Sequence, residues 1–248
     1  MNHGFVLLVG LLQAAAPQRP ITTARDLLEA MRARYEGKWY RTLTFVQNNT
    51  EHHPDGTLAH SVWREWLAVP GRLRIEFQPA DSGAGMLFAA DSQFVFTRDS
   101  ITVSRPFIHP LLVLGFNVYA QPVERTMAAL TQRRIDLSVL REATWEGRPV
   151  WVVGAKEGDL HTRQFWVDKE RLVFVRVLGP AGQDTTRTAD TRFNKYAPLA
   201  GGWISPEVEF LVDGHRVFLE EYREIQANVP IPEALWDPRQ WKATRGKP

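Results

Sequence analysis

The stretch from Trp63 to Phe96 limits the possible folds of this chain more than any other. Leu73, Ile75 and Phe77 share one parity, and Arg72, Arg74 and Glu76 share the other. A β-strand sends successive side chains to opposite faces, so this spacing predicts a strand with one apolar face and one charged face. Pro70-Gly71 turns the chain into the strand and Gln78-Pro79 ends it. After the break at Gly83-Ala84-Gly85, Phe94-Val95-Phe96 continues the pattern, and the whole stretch reads as a β-meander.

Similar runs recur along the chain. Trp39 to Gln47 and Leu58 to Val69 precede the meander. Leu140–Trp145, Val150–Ala155, Thr162–Asp168, Leu172–Leu178, Thr186–Tyr196, Trp203–Val212 and Arg216–Ile225 follow later. Asp213-Gly214 is the strongest hairpin signal. Most connections are too short for a crossover helix, which makes the sheet antiparallel, with about eleven strands in all. Two segments depart from this pattern. Ala24, Leu27, Leu28, Met31 and Tyr35 recur at helical spacing after a Thr22/Thr23 cap, and Gly37 stops that helix. Arg105 to Leu140 loses the alternation, is punctuated by Pro106, Pro110 and Pro122, and reads as a helical insertion lying across the sheet. The fold class is mainly β with helices (α+β). The proline-containing tail, Asn228 to Trp241, is expected over the end of the sheet.

Composition excludes several functions. The 248 residues carry a net charge of +2 with no Lys/Arg run, which argues against nucleic acid as a partner. Cysteine is absent, which removes disulfides, thiolate catalysis, Cys-based zinc sites and acylation at an N-terminal Cys. Phe5 to Leu12 is an apolar run followed by Ala14-Ala15-Ala16, the pattern of a cleaved export signal over residues 1–16. No later segment is long enough to span a membrane, and Leu111 to Phe116 is the most apolar of them. The expected product is a periplasmic, monomeric domain over residues 17–248.

The order of elements resembles the LolA/LolB-like superfamily of bacterial outer-membrane lipoprotein-sorting proteins. The features that carry the resemblance are the amphipathic helix, Phe45-Val46-Gln47, Pro70 to Arg74 and the Asp91 to Phe96 strand. The helical middle and the Asn228 to Pro232 ending complete it. The resemblance implies a curved, incomplete β-barrel with helices against its concave face and an apolar cavity between them. In the carriers that cavity takes acyl chains; related members bind glycolipids or sense envelope stress. This chain has Val69 where the carriers place a basic residue before the proline.

On that basis the expected acyl-binding face comprises Leu43, Phe45, Leu73, Ile75, Phe77, Phe94, Phe96, Phe165 and Val167, with Leu27, Leu28 and Met31 of the helix covering it. Each buried methylene contributes about 0.8 kcal/mol, so area alone can hold a long chain. The expected partners are lipid or lipoprotein acyl chains, or envelope proteins if the fold serves as a stress sensor or interaction module. No catalytic residue, metal or cofactor is expected. His52, His53 and Asp55 lie in one polar turn without a distant ligand. Glu220, Glu221 and Glu224, and Asp81 with Asp91, read as solvated faces. Gly83-Ala84-Gly85 lacks the following helix of a phosphate site, and no nucleophile elbow or dinucleotide fingerprint occurs.

Overall fold

The computed structural model describes residues 20–182 and 184–246; the export signal expected over 1–16 lies outside them. Helix α1 (Ala24–Tyr35) starts at a capping box in which Asp26 N–H donates to Thr23 Oγ1 at 3.1 Å and Thr23 N–H donates to Asp26 Oδ2 at 2.8 Å. Six strands follow: β1 (Thr42–His52), β2 (Leu58–Ala68), β3 (Arg72–Phe77), β4 (Gly85–Ala89), β5 (Ser92–Thr97) and β6 (Ser100–Pro106). The insertion holds α2 (Pro110–Gly115), a 3-10 turn (Asn117–Tyr119) and α3 (Val123–Gln132). The second half contains β7 (Leu140–Trp145), β8 (Arg148–Val153), β9 (Gln164–Asp168), β10 (Phe174–Ala181) and β11 (Asp184–Asn194). It ends with a small ribbon of β12 (Ala197–Leu199) and β13 (Gly202–Ile204), then β14 (Glu207–Val212) and β15 (His215–Ala227).

Thirteen of these strands form one antiparallel sheet in the order β6-β5-β4-β3-β2-β1-β15-β14-β11-β10-β9-β8-β7. The first and last strands of the chain are central neighbours, and β6 and β7 are the unpaired edges of an open, curved barrel. The sheet exceeds the expected eleven strands because β4 starts inside the Gly83-Ala84-Gly85 break and is buried on both faces, while β6 is exposed at every residue, so neither shows a clear apolar alternation. The insertion carries the chain from one edge to the other across the concave face. There, Leu27, Leu28 and Met31 of α1, Leu112 and Leu114 of α2 and Leu130 of α3 share a core with Leu43, Leu67 and Leu73 of the sheet. Asn117, buried in the insertion, accepts the Gly71 N–H at 2.9 Å and ties the Pro70-Gly71 turn to the helices.

The charged face predicted for β3 is not solvated. Arg74 and Glu76 are buried beneath the C-terminal tail, whose last helix is α4 (Trp241–Thr244). Arg74 Nε donates to Glu76 Oε1 at 2.8 Å, and its two Nη groups donate to the carbonyls of Leu235 and Trp241, each at 3.2 Å. The Gly246 N–H donates to Glu76 Oε2 at 2.8 Å. The Trp241 ring sits 4.0 Å from the guanidinium and stacks on Phe96 at 4.0 Å. Bringing two charges inside is costly unless every donor and acceptor finds a partner. Here the tail supplies the partners, and Leu235, Trp236 and Trp241 join Trp66, Leu87 and Phe96 in a second core on the convex side. Gly85 is required by this arrangement, since a Cβ there would lie 2.1 Å from the Ile75 carbonyl oxygen and 2.7 Å from the Trp241 ring.

Trp241→Ala therefore removes both the large apolar contact and the lid over the Arg74–Glu76 pair. It is expected to lower unfolding free energy by roughly 3–5 kcal/mol, measured by denaturant titration. A loss under about 1 kcal/mol would show that the tail is dispensable to the sheet.

Candidate ligand-binding site

Two cavities flank α2 between the helices and the sheet. The first, about 410 Å³, is walled by β1, β2, β3 and β15 through Phe45, Trp63, Leu73, Ile75, Phe218 and Tyr222 and is closed on the helical side by Leu111, Leu112 and Phe116. The second, about 370 Å³, lies between residues 107–114, Ala129 and Leu130 of α3 with Arg133 just past its end, and Val177 to Pro180 on β10. His109, Leu111 and Phe210 line both. Each volume falls in the usual range for a small-molecule site.

Register explains which predicted residues meet here. The cross-strand pairs Phe45–Glu65 and Glu65–Ile75, and Leu43–Leu67 and Leu67–Leu73, put these side chains on the helix-facing side. Phe45, Leu73 and Ile75 line the first cavity. Phe77 shares their face and packs its ring 4.9 Å from Trp63. Leu43, Phe165 and Val167, like Leu27, Leu28 and Met31, are fully buried in the packed core, and neither cavity is lined by them. Phe94 and Phe96 lie on the opposite face from the one expected. Their partners Leu87 and Gly85 align with Arg74 and Glu76, so both rings belong to the convex core under the tail. Both faces of β5 are covered, so apolar character alone did not distinguish them.

The polar members of the first cavity were not found from sequence. Glu65 and Glu220 project from β2 and β15 on either side of β1, and both line the cavity with Gln47 and Tyr222. Glu220 is thus not on a solvated face. Tyr222 stacks on Phe45 at 4.3 Å and donates its hydroxyl proton to Glu220 Oε2 at 2.8 Å. Burial pushes the Glu220 carboxyl up to about 7 against the opposing effect of that hydrogen bond. Glu65 is only 4% exposed. Burial and the nearby Glu220 hold it well above the usual carboxylate range. A clue was available: Glu65 takes the same parity as Trp63 and Leu67 in β2, an acid on an apolar stripe. The second cavity has the opposite polarity. Arg133 and Arg163 line it, and burial, followed by Arg163, holds the Arg133 guanidinium below its ordinary range. His109, between the two, accepts the Leu112 N–H on Nδ1 at 3.4 Å; burial and then Arg133 lower its pKa to about 4, so it is neutral.

This arrangement of an open antiparallel half-barrel, helices across the concave face and cavities between them is the LolA-like fold. Three of the solved structures that share it illustrate the likeness. A DUF1329 family protein from Desulfovibrio piger superposes with a TM-score of 0.59 at 14% identity over 86% of this chain and 95% of that one. An assigned outer membrane lipoprotein-sorting domain from Vibrio parahaemolyticus gives 0.57 at 15% identity over 88% and 97%. A LolA superfamily protein from Nitrosomonas europaea gives 0.55 at 12% identity over 87% and 98%. At these identities the likeness defines the fold. No family model and no curated protein matches the sequence.

A carboxyl whose pKa rises on folding holds its proton more tightly in the folded chain. Its contribution favours folding below pH 4.5 and fades as pH climbs toward about 7 for Glu220. Relative to wild type, the Tm of Glu220→Gln should therefore rise between about pH 5 and about pH 8. A Tm difference independent of pH would mean that the carboxyl is hydrated.

Proposed function

We propose that this is a lipid- or lipoprotein-binding protein of the bacterial envelope that shelters acyl chains between its half-barrel and its helices. The observation that carries this reading is the pair of cavities, about 410 and 370 Å³, meeting at Leu111 and Phe210 beneath α2. Their walls are largely aliphatic and aromatic, and burying a methylene there contributes about 0.8 kcal/mol. A chain of a dozen carbons thus gains enough to offset the cost of immobilising it. The structural neighbour from Vibrio, assigned to lipoprotein sorting, fits this role. So does the absence, among the described residues, of a helix long and apolar enough to cross a membrane. The proposal includes export through a cleaved leader over residues 1–16, action as a monomeric half-barrel in the periplasm, and binding instead of catalysis. A part in sorting lipoproteins to the outer membrane would follow from such binding. Val69, in the place of the carriers' basic residue, packs against the core and lends no charge to the turn.

A second reading, a sensor or interaction module, draws on the edge strand β6. It is exposed along its whole length and presents Ile101 and Val103, 46% and 39% exposed. Such an edge can receive a strand from a partner.

Extraction of protein purified from its native host should yield bound lipid by mass spectrometry. Ile75→Trp fills the first cavity from its wall and should weaken binding of the apolar dye 1-N-phenylnaphthylamine by about tenfold while leaving circular dichroism unchanged. Undiminished dye binding, together with lipid-free native protein, would favour the interaction module.

A further inference from the structure

The two cavities differ sharply in charge. The first contains two acids, Glu65 and Glu220, and no Lys or Arg among the described residues; its one imidazole, His109, is neutral. Glu220 has a partner in Tyr222. Glu65 does not: its side chain forms no hydrogen bond or ion pair with the described residues, although it is 96% buried and its carboxyl faces the cavity. Its carboxyl is held away from bulk water and opens onto the cavity, so a group that enters the cavity can supply the partner the protein does not.

The rings around the acids point to the sign of that group. Trp63 lies next to Glu65 along the wall, with Phe218 6.0 Å from Trp63 and Phe210 5.8 Å from Phe218. Aromatic faces attract ammonium groups through their negative quadrupole, and they do so most strongly away from water. Carboxyls and aromatic rings together complement a cation. An anionic head would find no basic side chain there, and either acid in its ionised form would repel it.

We propose that the first cavity binds an amphiphile with an apolar chain and a primary ammonium head, the head seated between Glu65 and Glu220 against Trp63 and the chain running toward Leu111 and Phe210. The ammonium has three donors, enough to bond Glu65 and the free capacity of Glu220 at once. Its charge favours the ionised form of both acids, so a proton held by the empty site is released to solvent when the amine enters. The second cavity, with Arg133 and Arg163 on its walls, would reject the same head. This inference rests on the acyl-binding reading above and adds to it the nature of the head.

The test is isothermal titration of the full chain at about pH 8 with three probes of one chain length: dodecylammonium, dodecanol and dodecanoate. Dodecylammonium should bind at least about tenfold tighter than dodecanoate, with heats that depend on the buffer's ionisation enthalpy in the direction of proton release. Glu65→Gln should bring the amine to within about threefold of dodecanol and leave dodecanol unchanged. Equal binding of all three probes, or tighter binding of dodecanoate, overturns the ammonium assignment and leaves the acyl cavity standing. Binding of none overturns both. If Glu65→Gln fails to fold, the probe ranking and the proton release in the wild type decide the matter.

Discussion

The structure depends on the pairing of β1 with β15. This ladder joins Leu43 to Ala227 and Glu51 to Phe218, residues far apart in the chain, and among the described residues no other strand pair links the two halves of the sheet. On one side of it the strands run β2 to β6 as a plain meander; on the other they run back from β14 to β7. The candidate site straddles this seam. Phe45 and Gln47 come from β1, Tyr222 and Glu220 from β15, and Glu65 from β2. A bulge between Thr44 and Val46 shifts the register where the ladder passes the cavity.

Covering both faces of the sheet explains how a modest chain sustains so open a barrel. The concave face is closed by α1 and the insertion, and the convex face of β3 to β5 by the tail. Farther along the sheet lies a second buried pair, to whose carboxylate Arg192 also donates, at 3.0 Å. Arg176 makes a bidentate contact with Asp190 at 2.8 and 2.7 Å, with its guanidinium 4.7 Å from the Trp166 ring. Arg74 and Arg176 both use the planar fork that lets a guanidinium bond a carboxylate while stacking on an aromatic face.

Much of this architecture was legible in the sequence. The capped helix over Ala24–Tyr35, the Asp213-Gly214 hairpin, the antiparallel order and the loss of alternation after Arg105 all have local causes, and local causes leave local patterns. What escaped was the two-sided burial. Alternation in Arg72–Phe77 showed which residues share a face, yet the burial of Arg74 and Glu76 depends on a tail more than 150 residues later, as the hydrogen bond from Arg74 to the Leu235 carbonyl, 161 residues on, shows. The same gap misplaced Phe94 and Phe96. In the site, Phe45, Leu73 and Ile75 were readable as apolar wall residues. Glu65 and Glu220 were not, because their meeting is a consequence of the seam, and no spacing within one strand encodes a neighbour two strands away.

The seam also has a consequence for synthesis. β1 can pair with β2 as soon as both have left the ribosome, but its other edge stays open until β15 has been made, near the end of the chain. Throughout that interval the nascent chain carries an unsatisfied strand edge beside an apolar face, the kind of surface that recruits unwanted strands. Folding of the central sheet is therefore a late, nearly post-translational event, and the tail that shelters Arg74 arrives later still. If the chain is exported as proposed, this delay would keep the polypeptide threadable until its last quarter has been made.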